Sequence, residues 1–242
     1  MCAVIESCRT VMNVTQTIQF LRDNALTYCG RPGKLETVHE SAKSVEARNV
    51  PGIFLEAGVA MGGSAIVIAK TKPRTRRLDL YDVFEMLPPP AENDDAKSHE
   101  VYRNFIAGKV SGAVDRNYVS HSTDLLSFTR ENMRRAGVDP EAENIRFVKG
   151  LYEQTLQVDE PVAFAHIDCD WYDSVKLCIE RIAGHMSIGG MMLFDDYNSF
   201  QGCRKAVDEW LSQDARFQIV HSDWTVAVQR VASRNRAVES ST

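Results

Sequence analysis

Ile53-Phe54-Leu55-Glu56-Ala57-Gly58-Val59-Ala60-Met61-Gly62-Gly63-Ser64 is an apolar run that breaks into glycines and passes at once into a helical pattern, Ser64–Lys70. A strand that turns on glycine into a helix is the opening unit of an open α/β sheet, and its turn is where such sheets bind nucleotides. Glycine allows the tight turn and a close backbone approach, and the helix N-terminus offers free N–H groups. The spacing Gly-x-x-x-Gly-Gly is neither the dinucleotide fingerprint nor a phosphate loop, which would need a Lys-Ser/Thr pair. Glu56 at the strand end repels phosphate and suits a ligand with a cationic amino group.

Outward from this unit, further β-rich runs stand at Leu78–Val83, Ile145–Val148, Ala163–Asp168 and Gly190–Phe194. With Ile53–Ala57 they are nearly continuous in apolar residues, as expected of strands buried on both faces of a parallel sheet. Helical patterns lie at Thr123–Ala136, Ser174–His185 and Cys203–Gln213. Phe217–His221 and Thr225–Val231 differ, because only Ser222-Asp223-Trp224 separates them and so short a link allows only an antiparallel hairpin. The expected fold is therefore α/β: a doubly wound, Rossmann-like seven-stranded sheet, mostly parallel, closed by a C-terminal antiparallel hairpin. Residues 1–50 form an N-terminal helical segment with helices expected at Val14–Leu26 and Leu35–Arg48, and residues 51–232 form the main domain. LPPP at Leu87–Pro90 opens a charged loop, and residues 88–120 are long enough to be a lid or binding loop. The tail 233–242 is expected to fray.

Composition sets limits on function. The chain has 242 residues and a net charge of −5, which argues against a nucleic-acid surface; its one basic run, Lys70–Arg77, reads as a solvated turn. Six cysteines without a paired or zinc spacing read as reduced thiols in a cytoplasmic protein. The first fourteen residues carry Glu6 and Arg9 and do not read as a signal peptide, and no apolar run approaches the length of a membrane span.

Two acidic features point to chemistry. Asp82 ends the second strand, about 20–25 residues after the glycines, where an acid commonly binds ribose hydroxyls. With the glycine loop it implies an adenosine cofactor without pyrophosphate, S-adenosylmethionine rather than NAD. The densest signal is HIDCDWYDS followed by GGMMLFDDYNS. Asp168 and Asp170 stand two apart and share a side if the extended path continues, and Asp195-Asp196 end the next strand, 27 residues after Asp168. Four crowded carboxylates repel one another unless protons or a cation neutralise them. A hard divalent ion fits oxygen donors, whereas His166 and His121 do not repeat at a zinc spacing. His121, Tyr152, Tyr172 and Tyr197 are weaker candidates for the pocket wall, with core or surface roles the commoner alternative.

VPGIFLEAGVAMGGS, YDVFEMLPPP, IRFVKGLYEQTL, HIDCDWYDS and GGMMLFDDYNSFQGCRKAVDEW resemble, in this order, the macrocin O-methyltransferase (TylF-like) family, which includes the novobiocin and mycinamicin sugar O-methyltransferases. The resemblance implies a class I methyltransferase fold and an O-methyltransferase using S-adenosylmethionine and Mg²⁺. It places Asp168, Asp195 and Asp196 as metal ligands and Asp170 as the base that takes the acceptor hydroxyl's proton. Glu56, Gly58, Gly62, Gly63, Ser64 and Asp82 fall on its cofactor motifs. The match fades before Val50 and over Ala91–Tyr118, so the small-molecule acceptor stays unnamed. A catechol-type aromatic acceptor and a non-catalytic binding protein on this fold remain rivals, and a homodimer or larger homo-oligomer is left open.

Overall fold

The computed structural model describes residues 12–109 and 112–232. The expected frayed tail lies outside them. Along the chain run α1 (Val14–Asp23), α2 (Lys34–Ala47), β1 (Ile53–Ala57), α3 (Gly63–Thr71), β2 (Leu78–Asp82), α4 (Ala96–Ile106), α5 (Ala113–His121), α6 (Leu125–Arg135), β3 (Ile145–Lys149), α7 (Tyr152–Thr155), β4 (Val162–Ile167), α8 (Tyr172–Ile182), β5 (Met186–Phe194), α9 (Gln201–Gln213), β6 (Phe217–Ser222) and β7 (Val226–Arg230). A short 3₁₀ turn, Ala183–His185, joins α8 to β5.

The strands form one sheet in the order β3-β2-β1-β4-β5-β7-β6. The first five run parallel, while β7 pairs antiparallel with both β5 and β6. Chain order reverses between β1 and β4, which leaves a crevice at their carboxyl ends, the place where open α/β sheets take ligands. Residues of β1, β2 and β4 are buried throughout, as their apolar runs foretold. Strand β3 departs from that expectation: it is the sheet's edge and only partly covered. Its Arg146 reaches across to the fully buried Asp79 of β2, 2.7 Å away. Strand β5 begins four residues before the expected Gly190, through an irregularity in its pairing with β4.

Two apolar cores flank the sheet. One gathers Leu35, Val38, Ala42 and Val45 of α2 with Ile66 and Ile68 of α3, Leu78 and Leu80; the other gathers Val175, Cys178 and Ile179 of α8 with Met192, Phe194 and Val207. The N-terminal helices thus share the sheet's core, with α2 lying on α3 and β5. At the start of α1, Asn13 and Gln16 form a reciprocal capping box. The segment expected as a loop over 88–120 instead carries α4 and α5. It is tied down by Trp171 Nε1, which donates to Pro88 O at 3.0 Å, and by Tyr118 OH, which donates to Glu85 O at 2.7 Å.

Candidate active site

Glycine 58 leaves β1 with φ +91, and a Cβ there would lie 1.8 Å from the carbonyl oxygen of Asp168. The missing side chain lets the first turn and the end of β4 touch backbone to backbone. Asp168 N closes that contact by donating to Ala57 O at 2.8 Å. Asp82 then shapes the glycine loop from the far side. Its carboxylate accepts from the amides of Val59 (2.7 Å), Ala60 (2.9 Å) and Phe84 (2.6 Å). Helix α6 holds the rest, with Thr129 Oγ1 donating to Ala60 O and Asn132 Nδ2 to Met61 O.

A cavity of about 640 Å³ opens at the carboxyl ends of the strands, lined by Gly58, Ala60, Asp82, Asp168, Asp170, Asp195 and Asp196 among others. Its outer walls are apolar and aromatic, from Tyr28, Leu87, Pro88, Phe105, Tyr118, Trp171 and Phe200. Of the residues expected to bind the cofactor, Gly58 and Asp82 reach this wall. Gly63 and Ser64 line a small cleft beside it under Leu26–Cys29. Gly62 caps α3 at φ +89, where a Cβ would meet Thr129 Cγ2 at 2.9 Å, so its want of a side chain serves the packing of α3 on α6. Glu56 is fully buried behind the wall, and His166 Nδ1 sits 2.7 Å from its Oε1.

The four aspartates come together, but not by the expected path. Strand β4 ends at Ile167, Trp171 N bonds back to Cys169 O at 2.6 Å, and Asp170 is left-handed with φ +59. The extended alternation over Asp168–Asp170 is therefore broken by a turn, which still brings both carboxylates to the cavity. A left-handed non-glycine residue carries a strain of order 1–3 kcal/mol and occurs where the surroundings fix it, commonly at a functional site. Cys169, between them, sets its Sγ 4.0 Å from Cys178 Sγ of α8.

Charge organises the rest. Lys34, the first residue of α2, sets its Nζ 2.5 Å from Asp195 Oδ2 and 4.0 Å from Asp196 Oδ1. His166 Nε2 faces Asp195 Oδ1 at 4.0 Å, an ion-pair distance longer than a hydrogen bond. Burial opposes the charged imidazole, yet Asp195 and Glu56 on either side hold its pKa up to about 10. Burial pushes the Asp195 carboxyl up, but His166 and Lys34 outweigh it and hold the group below its ordinary range. Asp168 and Asp170 are driven well up, by burial first and then by Asp195 and Asp196 beside them. Asp196 is raised by burial and by Asp195.

Among the described residues, Asp195 Oδ1 and Asp196 Oδ2 are buried without a hydrogen-bond partner. Orphaned buried carboxylate oxygens are costly unless a proton, a water or a cation satisfies them. Cys29 Sγ, Asp168 and Asp195 also offer donor atoms within 4.8 Å of one another. The donor set fits a divalent cation. Lys34, Cys29 and the Glu56–His166 pair escaped the sequence reading; HIDCD does place a histidine beside the aspartates, but only strand register opposes it to Glu56. Of the four weaker candidates, Tyr152 lines the cavity. His121 stacks on Phe128, while Tyr172 and Tyr197 donate their hydroxyls to Glu209 and Asp208.

Residues 21–230 match the model of the Macrocin-O-methyltransferase (TylF) family. The chain belongs to that family. This TylF-family protein is a methyltransferase with S-adenosylmethionine as methyl donor. It is 27% identical over 206 residues to demethyldecarbamoylnovobiocin O-methyltransferase of Streptomyces niveus, covering 81% of this chain and 70% of that one. It is 28% identical over 183 residues to 8-demethyl-8-(2,3-dimethoxy-alpha-L-rhamnosyl)-tetracenomycin-C 4'-O-methyltransferase of Streptomyces olivaceus, covering 73% of this chain and 64% of that one. In fold it is similar to the O-methyltransferase NovP, with TM-score 0.68, 24% identity and 88% of each chain covered. The O-methyltransferase from Bacillus cereus in complex with SAH shares the fold at TM-score 0.54, with 14% identity and 90% of each chain covered. No helix among the described residues is long and apolar enough to cross a membrane.

Proposed function

We propose that this protein is a Mg²⁺-assisted O-methyltransferase acting on a hydroxyl of a sugar or sugar-bearing natural product. The observation that carries the metal is the pair of orphaned, buried oxygens on Asp195 and Asp196 beside Asp168. The sugar rests on the relatives, two of which are named for methylating novobiocin and rhamnosyl-tetracenomycin intermediates. The aromatic outer wall suits an acceptor that carries an apolar body as well as its hydroxyl.

Asp168, Asp195 and Asp196 would hold the ion. Bound there, it would supply charge neutralisation and Lewis acidity toward an acceptor hydroxyl. Gly58, Ala60 and Asp82 would hold the donor at the crevice between β1 and β4. Asp170 is the base: its oxygen accepts the hydroxyl proton as the acceptor oxygen forms a bond to the sulfonium methyl and the methyl–sulfur bond breaks, leaving S-adenosylhomocysteine. Much of the rate comes from holding the two substrates in line at contact distance.

Two neighbouring variants test this. Asp168→Asn should weaken Mg²⁺ or Mn²⁺ binding so that added metal partly restores turnover. Asp170→Asn should keep metal and donor affinity while kcat falls by about 10²–10⁴. Full turnover of the wild type in EDTA, with no metal bound, refutes the metal; rescue of Asp170→Asn by metal, but not of Asp168→Asn, reverses the two roles.

A further inference from the structure

Lys34 stands where ordinary preferences would not put it. It is the first residue of α2, the end at which the helix dipole repels a cation. It is also only 5% exposed, and a lysine so buried needs a partner. What offsets both is the carboxylate cluster, reached across 161 residues of chain. The apolar face of α2 fixes the helix on α3 and β5, so the ammonium is delivered by a rigid element rather than by a mobile loop. Its Nζ occupies Asp195 Oδ2 and leaves Asp195 Oδ1, which has only His166 Nε2 at 4.0 Å, and Asp196 Oδ2 without a hydrogen bond. The cluster is thus partly neutralised from within and still short of positive charge.

We propose that Lys34 is the resident counter-cation of the metal site: it holds the ligating carboxylates together while no metal is bound, and a divalent ion must bind against its charge. Lys34 therefore lowers metal affinity and stabilises the metal-free protein. The inference builds on the cation reading of Asp168, Asp195 and Asp196. It makes Lys34 a positioning residue, acting through Asp195 and Asp196.

The test uses the whole protein, Lys34→Met and Lys34→Arg, each stripped with EDTA, with melting temperature and Mn²⁺ affinity as readouts. Lys34→Met should melt lower than wild type without metal, and should bind Mn²⁺ about tenfold or more tightly, since a like charge a few ångströms away has gone. Saturating Mn²⁺ should raise its melting temperature by more than it raises that of wild type. Lys34→Arg, which keeps the charge, should stay near wild type in both readouts. If Lys34→Met proves unfolded without metal, the double variant Lys34→Met/Asp195→Asn should fold, because it removes the pair together.

Equal or weaker Mn²⁺ binding by Lys34→Met overturns the proposal, and so does failure of the double variant to fold. Binding by Lys34→Met but not by wild type would uphold the counter-cation while refuting Mg²⁺ as the wild-type cofactor. If no variant binds Mn²⁺, both readings fall.

Discussion

Gly58→Ala should be the most damaging glycine-to-alanine change among the described residues, and its cost can be worked from two separate strains. The first is conformational: at φ +91 an alanine pays roughly 1–2 kcal/mol for left-handed backbone. The second is steric. The new Cβ would lie 1.8 Å from Asp168 O and 2.5 Å from Asp168 C, both backbone atoms that no rotamer change can clear. Gly58 N is tied to Tyr81 O at 3.0 Å on one side, and Asp168 N to Ala57 O at 2.8 Å on the other, so the ends of β1 and β4 must part. Overpacking of this sort typically costs about 1–3 kcal/mol, for a total of roughly 2–5 kcal/mol. A chain of this size loses roughly 2–4 °C of melting temperature per kcal/mol, so a fall of order 4–20 °C is expected. Gly137→Ala is the control: φ is +78, but the nearest atom to its Cβ is Lys70 Nζ at 3.8 Å, so only the conformational strain applies. Scanning calorimetry with a Mn²⁺ titration separates the two, since Gly58→Ala moves Asp168 and Gly137→Ala does not. If Gly58→Ala melts no lower than Gly137→Ala and binds Mn²⁺ as wild type does, the backbone contact does not place Asp168 as the proposed metal ligand.

Asp94 accepts from the amides of Tyr172 (2.7 Å) and Ala91 (3.0 Å) and pins the segment before α4 against α8. Asp94→Ala should therefore raise the KM for acceptor and speed amide exchange over residues 88–106, with donor affinity unchanged by calorimetry. Asp79→Ala removes the buried partner of Arg77 and Arg146. Urea unfolding should show a loss of about 1–3 kcal/mol, toward the low end because both guanidiniums reach water.

Much of the fold was legible because burial writes itself into composition. Strands covered on both faces need apolar side chains at nearly every position, so IFLEA and AFAHID announce themselves. The edge strand was also found, but its half-burial was not. Ile145, Phe147 and Val148 look like core in a four-residue run, and only the register with β2 reveals that Arg146 serves Asp79. Helices α4 and α5 were missed for the opposite reason. Their apolar positions at helical spacing are few, Val101 and Phe105 in α4 and Val114 and Tyr118 in α5, and of these only Tyr118 is buried, so the stripe is too short to announce a helix. At the site, the aspartates were legible because they sit at strand ends in a regular spacing. The turn at Asp170 was not, since nothing in CDW signals a left-handed aspartate.

The unread half of the site has a common cause in electrostatics. A parallel sheet brings the ends of β1, β4 and β5 within a strand spacing or two of one another, so Glu56, Asp168 and Asp195 converge however far apart they lie in sequence. Gathering like charges out of water is unfavourable, and the fold can tolerate it only by importing opposite charge to the same place. Strand register supplies His166 directly opposite Glu56, and α2, where the sequence resemblance was weak although the family model spans it, supplies Lys34. Neither is visible as a motif, because what they satisfy is a sum of charges rather than a local pattern. That sum is still incomplete on Asp195 and Asp196, whose inner oxygens make no hydrogen bond among the described residues, although His166 Nε2 faces Asp195 Oδ1 at 4.0 Å. Both aspartates nevertheless line the cavity, so a cation drawn to that deficit would approach it from the cavity side.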